Sequence, residues 1–381
     1  MKMKLENGSP HVLIIDDEVE RERSVADGLE TQGLEIEVKS PDSVTEDDLR
    51  DADVICVDQY YDWAKVPHPD EAIYWPQDGL AIAAVVAGHL RRIDHHAAIA
   101  LRTGDLARLA KNLPTSMREP LVAAQNNIDW ILSKGDPMMA QKIRQLGAAV
   151  KGLAPLAIDP RSWNEGGRWL GLRDEIRWAE AALADVQISR PPENVVATYT
   201  SGTAWLRWFT HRILPFPTFL LPVEWAAAVL RLTAKDFWEI SSSDSPLGRK
   251  LQECRYVGHL GSLVGERWWR AGLDAVVDDC LSEAPASSDE AEALAEQFTR
   301  LHGRTVRTLN YANPVVAVDA DYRVTGVADA SSCLRLAPDL WPVFAEEPWA
   351  ELEEIEHDSE LRTMVARGDR GRIEGGLVDY L

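Results

Sequence analysis

Four short apolar runs, each ending in a residue that can carry charge or bind an anion, constrain this chain more than any other feature. Val12-Leu13-Ile14-Ile15 runs into Asp16-Asp17, and Val54-Ile55-Cys56-Val57 ends on Asp58. Ile99-Ala100-Leu101 leads through Arg102 to Thr103-Gly104, and Ile128-Asp129-Trp130-Ile131-Leu132 leads to Ser133-Lys134. Runs this short and this apolar suit strands covered on both faces, as in parallel sheets. Helical stretches lie between them. Glu18 to Leu29 carries Val19, Val25 and Leu29 as a buried stripe and ends at Gly33. Leu34 to Val38 alternates as a half-exposed edge strand, Thr45-Glu46-Asp47-Asp48 opens a short helix, and Gly79 to Leu90 and Met138 to Val150 read as helices. The order predicts an α/β domain, a doubly wound parallel sheet of five strands. Such sheets bind ligands outside the carboxyl ends of their strands. An acid pair, a single acid, a hydroxyl and a lysine would then converge on one face.

This ordered set resembles the receiver domain of two-component response regulators, over residues 10–150. The resemblance implies a receiver, or flavodoxin-like, fold. It implies that Asp58 is the phosphoacceptor and that Thr103 and Lys134 bind phosphoryl oxygens. It implies Mg²⁺ held by Asp16, Asp17, Asp58 and the backbone carbonyl of Tyr60, and a histidine kinase or phosphotransfer protein as partner. The residue types suit that chemistry. Phosphoryl transfer asks mainly for positioning and charge neutralisation, and Mg²⁺ prefers carboxylates and water in octahedral geometry. The stretch between Asp58 and Thr103 is longer than receivers usually have. It contains an aromatic segment, 59–78, with Tyr60, Tyr61, Trp63, Tyr74 and Trp75. That segment reads as a lid packed on the domain's own surface, or alternatively as a partner-docking surface beside the site.

Composition bounds what the rest can do. A formal charge of −22 over 381 residues opposes binding to phosphate backbones and anionic membranes, so no DNA partner is expected. No apolar run approaches the roughly 20 residues of a membrane span, which with the absence of a signal peptide predicts a cytoplasmic protein. The 4 cysteines, at 56, 254, 280 and 333, lack zinc-site spacing and read as reduced, buried thiols. Of the 14 tryptophans, most lie beyond residue 150, which predicts a second packed domain. The expected division is a receiver at 1–150, a linker at 151–167 and a mostly α-helical domain at 168–381. Expected elements there include a long helix from Trp169 to Val186, a helix from Gly265 to Glu283, and a helix capped by Ser288. A hairpin is expected around Asp319-Ala320-Asp321, a last helix near 348–355, and a loosely docked end from Arg362.

Chemistry in that second half is less marked. His211, His259, His302 and His357 share no helix face, and Asp319 with Asp321 reads as a turn rather than a metal loop. Gly265-Glu266-Arg267-Trp268-Trp269-Arg270 sets guanidinium groups beside indoles. Such a stretch stacks a base or binds a phosphate, or more commonly is core edged by solvated arginines. The expected function is a response regulator in which phosphorylation of Asp58 controls a protein partner of the helical domain, or simply buffers phosphoryl groups. Long receivers of two-component-like phage-defence operons are a further, context-level resemblance. Rival readings are a phospho-gated enzyme with its site in 160–381, and an inactive pseudo-receiver scaffold. Beyond its own phosphorylation at Asp58, no enzymatic activity is expected.

Overall fold

The computed structural model describes residues 9–62, 76, 78–153, 166–173, 175–190, 201–261, 263–283 and 289–374. In the front half, β1 (His11–Ile15), β2 (Glu35–Lys39), β3 (Val54–Asp58), β4 (Ala98–Thr103) and β5 (Trp130–Ser133) form one sheet in the order β2-β1-β3-β4-β5. Every neighbouring pair in it is parallel. This is the doubly wound order shared by flavodoxin and CheY, so the front half has the receiver-like fold its strand ends predict. The crossovers are α1 (Val19–Glu30), α2 (Glu46–Asp51), α3 (Gly79–Arg92), α4 (Leu106–Leu109) with α5 (Arg118–Gln125), and α6 (Met139–Leu153) closes the unit.

The strands bury alternate residues on opposite faces, as a period of two requires. Leu13, Ile15, Ile55, Val57, Ile99, Leu101 and Ile131 pack together on one face with Ile82, Ala83 and Val86 of α3. Val12, Ile14, Val54, Cys56, Ala98, Ala100, Trp130 and Leu132 pack on the other, against Leu29 of α1 and Ile143, Leu146 and Val150 of α6. The long gap after Asp58 is an excursion. The Gly79 amide donates to the Gln59 carbonyl at 2.9 Å, so the chain leaves and returns at one point. A Cβ on residue 79 would lie 2.0 Å from the Asp58 carbonyl oxygen, so only glycine can start α3 against the end of β3. Within the excursion, Trp63, Tyr74 and Trp75 lie outside the described residues.

Beyond the sheet, the second hydrophobic face does not stop at α6. Trp169, Trp205, Trp208 and Phe209 belong to the same cluster of buried residues. Helix α6 runs through Leu153, and residues 154–165 of the expected linker lie outside those described. The long helix expected from Trp169 is two pieces, α7 (Gly166–Trp169) and α8 (Ala179–Ser189). Gly171 between them adopts φ +72, a left-handed turn beside the backbone of Gly258. Next come α9 (Ser201–Trp208) and a π-turn over Phe209–Ile213, where the Leu214 amide bonds the Phe209 carbonyl.

The helix expected from Gly265 begins only at Arg270. Trp268 and Trp269 form β7, paired antiparallel with Leu220 and Leu221 of β6, before α13 (Arg270–Ser282). The elements α10 (Val223–Val229), α11 (Ala234–Ser241) and α12 (Pro246–Glu253) lie between the two strands in sequence. The physical reason is that both indoles are buried, in different cores: Trp268 in the back half's own cluster, Trp269 in the one reaching the front sheet. Adjacent residues point to opposite sides only in a strand.

Helix α14 (Glu290–His302) is capped by the Asp289 carboxylate, which accepts from the Ala291 and Glu292 amides; Ser288 lies outside the described residues. The expected hairpin is present as β8 (Pro314–Val318) and β9 (Val324–Asp329), with Asp319 in its turn. It belongs to a four-stranded sheet, in the order β10-β11-β8-β9, completed by β10 (Cys333–Arg335) and β11 (Trp349–Glu351). The back half is therefore mixed. The last expected helix starts after β11, as α15 (Leu352–His357), and is followed by α16 (Ser359–Met364). The end is docked up to the limit of the described chain. Arg335 Nε meets Asp369 at 2.9 Å, and the Arg372 guanidinium donates to the Cys333 and Ser331 carbonyls. All four cysteines are free and buried. Among the described residues, no helix is long and apolar enough to cross a membrane.

The two halves meet along the β5 side of the front sheet. Arg207 donates from Nε to Asp129 at 3.2 Å and from Nη1 to Asn127 at 2.8 Å. His211, in the π-turn, donates from Nε2 to the Ile128 carbonyl at 2.7 Å. Burial drops its pKa to about 4, so the ring is neutral and the carbonyl fixes which nitrogen carries the proton. Further along, the Thr115 amide and hydroxyl both donate to Asp321 Oδ1, while Met117 and Leu121 pack on Phe216.

Candidate functional site

At the carboxyl end of the front sheet, Asp16, Asp17 and Asp58 each offer an oxygen within 4.8 Å of the others. Asp16 follows β1 directly, and its Oδ1 accepts from the Glu18 amide at 2.9 Å as the chain turns into α1. Its Oδ2 is buried and has no hydrogen-bond partner among the described residues. Asp58 ends β3 and is 5% exposed. Lys134 sits just past β5; its amide bonds the Thr103 carbonyl at 2.7 Å. Its ammonium reaches Asp58 Oδ1 at 2.6 Å and stands 3.9 Å from Asp16 Oδ2.

Two of these three carboxylates, Asp58 and Asp16, thus share one lysine. The imbalance shows in Asp16, whose pKa is raised to about 6 by burial and, less strongly, by repulsion from Asp58 and Glu22; the Glu18 amide and Lys134 pull the other way. Behind the acids lies a second ion pair. Arg102 meets Glu22 of α1 at 2.7 Å, with both side chains almost wholly buried. That pair is self-neutralised and leaves the excess of acid unanswered.

Thr103 ends β4 one residue beyond Arg102, which is in register with Asp58. Its hydroxyl is buried and accepts from the Asp105 amide at 3.0 Å. The Tyr60 amide approaches Asp58 Oδ2 at 3.4 Å, and its exposed ring lies under the Arg108 guanidinium. The excursion also folds back over the acids. The Tyr61 hydroxyl donates to the Ile15 carbonyl, and the Asp62 amide donates to Asp17.

Asp16, Asp17, Asp58 and Lys134 therefore come together as the strand ends predict, with Thr103 on the neighbouring strand. The donor set is all oxygen, compact and partly unpartnered, which fits a hard divalent cation such as Mg²⁺. The sequence did not single out Arg102–Glu22 or Arg207–Asp129; in both pairs the acid and base lie far apart in the chain. Of the four histidines singled out in the back half, His211 bonds the Ile128 carbonyl, His302 meets Ser245, His357 bonds the Glu353 carbonyl, and the His259 ring lies against Trp169.

No protein-family model matches this chain, and no curated protein does. Solved structures do. A CheY-like response regulator receiver domain protein from Methanospirillum hungatei JF-1 is 16% identical, covering 34% of this chain and 83% of its own, with a TM-score of 0.20. A response regulator from Burkholderia pseudomallei, with a phosphorylated aspartic acid, calcium ion and citrate, is 15% identical, covering 54% and 99%, at 0.22. RcsB from Salmonella enterica serovar Typhimurium, bound to promoter rprA with a phosphomimetic, is 16% identical, covering 51% and 99%, at 0.24. For this chain the receiver-like fold stands on its own strand order.

Proposed function

We propose that this chain is a response regulator whose front half accepts a phosphoryl group on Asp58 and whose back half reads that change. The observation that carries the proposal is the cluster of Asp16, Asp17 and Asp58 around Lys134 at the carboxyl end of the sheet. Asp58 is the nucleophile. One of its oxygens forms a bond to phosphorus while the donor's bond from phosphorus to a histidine nitrogen breaks, its electron pair leaving with the imidazole. A histidine kinase or phosphotransfer protein is the donor. Asp16, Asp17, Asp58 and the Tyr60 carbonyl would hold Mg²⁺, which offsets repulsion between the acids and the incoming phosphate.

Lys134, now paired to Asp58, moves its ammonium onto a phosphoryl oxygen. The Thr103 hydroxyl accepts from the Asp105 amide and still has its own proton to donate to the phosphoryl group. Asp105 caps α4, which leads to the Thr115–Asp321 contact with the β8–β9 hairpin. The modification raises the charge at Asp58 from one negative to roughly two. Pulling Thr103 inward then strains the continuous segment 103–115, whose Thr115 is hydrogen-bonded to Asp321 of the back half. A protein partner of the back half is the output, and a chain of −22 disfavours DNA in that role.

Hydrogen exchange with and without beryllofluoride and Mg²⁺ tests this reading. Protection should change over 103–116 and over 314–329, and neither should change in Asp58→Asn. A front half that responds while 314–329 stays still would reduce the protein to a phosphoryl store.

A further inference from the structure

The residue before Thr103 is an arginine, on a face where β4 otherwise carries two alanines, Ala98 and Ala100. The period of two puts Arg102 on the side that Val54 and Cys56 occupy in β3, and it stands in register with Asp58. Its side chain is 2% exposed, so it is directed into the molecule rather than to solvent. There Nη2 meets Oε2 of Glu22 on α1 at 2.7 Å, and the Glu22 side chain is 6% exposed.

As architecture this pair is poorly built. Arg102 Nε and Nη1 and Glu22 Oε2 have no hydrogen-bond partner among the described residues. The buried pair that joins the two halves differs, because Asp129 accepts from both Arg207 Nε and the Ile99 amide. Removing two charges from water is costly, and a pair whose other polar atoms go unsatisfied does not offset it. Two apolar side chains of similar volume would pack β4 on α1 at least as well. The charges of the pair do reach the acid site. Glu22 repels Asp16, and Asp16 attracts Arg102. Asp16, Asp17 and Asp58 with the one ammonium of Lys134 leave two negative charges, the number that one divalent cation neutralises. Glu22 alone would make that excess three, and Arg102 alone would reduce it to one.

We propose that Arg102 and Glu22 are positioning residues for the acid site, each cancelling the other so that the three acids keep the charge that one Mg²⁺ answers. The proposal rests on the reading of Asp16, Asp17 and Asp58 as a metal-assisted phosphoacceptor site. Neither residue of the pair needs to touch the metal or the phosphoryl group. Glu22 without its arginine would be a fourth acid, attracting Mg²⁺ and opposing the incoming phosphate. Arg102 without its glutamate would oppose Mg²⁺ and draw the phosphate in. Loss of one charge therefore moves metal affinity and phosphoryl acceptance in opposite directions. A tie that only held β4 on α1 would, when cut, loosen the site and weaken both.

The test uses the full chain and two readouts. Mg²⁺ affinity is measured by calorimetry without any phosphodonor, and the rate of labelling by acetyl phosphate is measured at saturating Mg²⁺. Glu22→Gln keeps the size of the side chain and removes its charge. It should weaken Mg²⁺ binding about tenfold at low salt and speed labelling. Adding Arg102→Met to it removes the cation as well, and should return both quantities to within about threefold of wild type. Should Glu22→Gln not fold, Arg102→Met alone decides, with the signs reversed: tighter Mg²⁺ binding and slower labelling. A Glu22→Gln protein that binds Mg²⁺ like wild type, one that loses affinity and labelling rate together, or a double variant as weak as Glu22→Gln would each overturn the proposal and leave the phosphoacceptor reading standing. Affinities that follow the charges in a protein never labelled at Asp58 would uphold the pair's role at the metal and remove the phosphoacceptor reading instead.

Discussion

The two ends of the front sheet treat buried carboxylates in opposite ways. At the amino end of β5, Asp129 is 0% exposed, accepts the Ile99 amide at 2.7 Å and meets Arg207 at 3.2 Å. One acid has one cation and a backbone donor. At the carboxyl end, three acids cluster, Lys134 pairs with Asp58 and reaches Asp16, and one oxygen of Asp16 has no hydrogen-bond partner among the described residues. A satisfied buried charge is architecture, and here it joins the two halves of the chain. An unsatisfied excess of one sign is a site prepared for a ligand of the other sign.

Breaking the satisfied end should have the largest effect. Arg207→Met leaves Asp129 buried without its cation, and the expected loss is about 3–5 kcal/mol of stability, read by denaturant unfolding. Asp129 already has its pKa raised by burial, with Arg207 the main opposing influence. Loss of the arginine raises it further, so the variant should be least stable at high pH. A loss indistinguishable from zero would remove the distinction between the two ends.

Relieving the unsatisfied end should do the reverse. The folded-state pKa of Asp16 is about 6, above its ordinary 3.8. The folded protein therefore holds a proton in that window that the unfolded chain has released, and stability falls as pH rises through it. Integrated across the window, that difference in proton binding amounts to about 3 kcal/mol. Asp16→Asn should accordingly stabilise the metal-free protein near pH 7 by up to that amount, and the gain should shrink towards about pH 4. The same variant, and Asp17→Ala, should lose Mg²⁺ affinity, read as the metal-induced shift in melting temperature. An Asp16→Asn protein that still binds Mg²⁺ like wild type would contradict the assignment of the acids.

The smallest expected effect is at the exposed part of the junction. Asp321→Ala removes the acceptor for the Thr115 amide and hydroxyl and should cost about 1 kcal/mol or less, because these groups can bond water instead. Its informative consequence is in hydrogen exchange, where 113–117 should lose protection while β5 keeps it.

How much of this was legible follows from local pattern. The four strand ends were readable because each apolar run is buried on both faces and stops at or next to a charged or hydroxyl residue, as in β3, where Val54 to Asp58 are all buried. The excursion after Asp58 was readable as an anomaly of length. Its closure was not, because the Gln59–Gly79 bond joins residues distant in sequence. Trp268 and Trp269 were misplaced on a helix because adjacent indoles do not by themselves distinguish a strand between two cores from one helical face. Strands β10 and β11 have three residues each, too few for an alternation to show. Arg207 and His211 did leave a trace, as polar residues interrupting the apolar stretch from Trp205 to Leu214. Nothing in that stretch points to Asn127, Ile128 and Asp129 as their partners.

The most direct test is phosphorylation itself. Full-length protein is incubated with a small-molecule phosphodonor, with and without Mg²⁺, and analysed by intact mass followed by base treatment. Wild type should gain one base-labile phosphoryl group only when Mg²⁺ is present, and Asp58→Asn should gain none. Equal labelling of wild type and Asp58→Asn, or a wild type that is never labelled at saturating donor and Mg²⁺, would contradict the account.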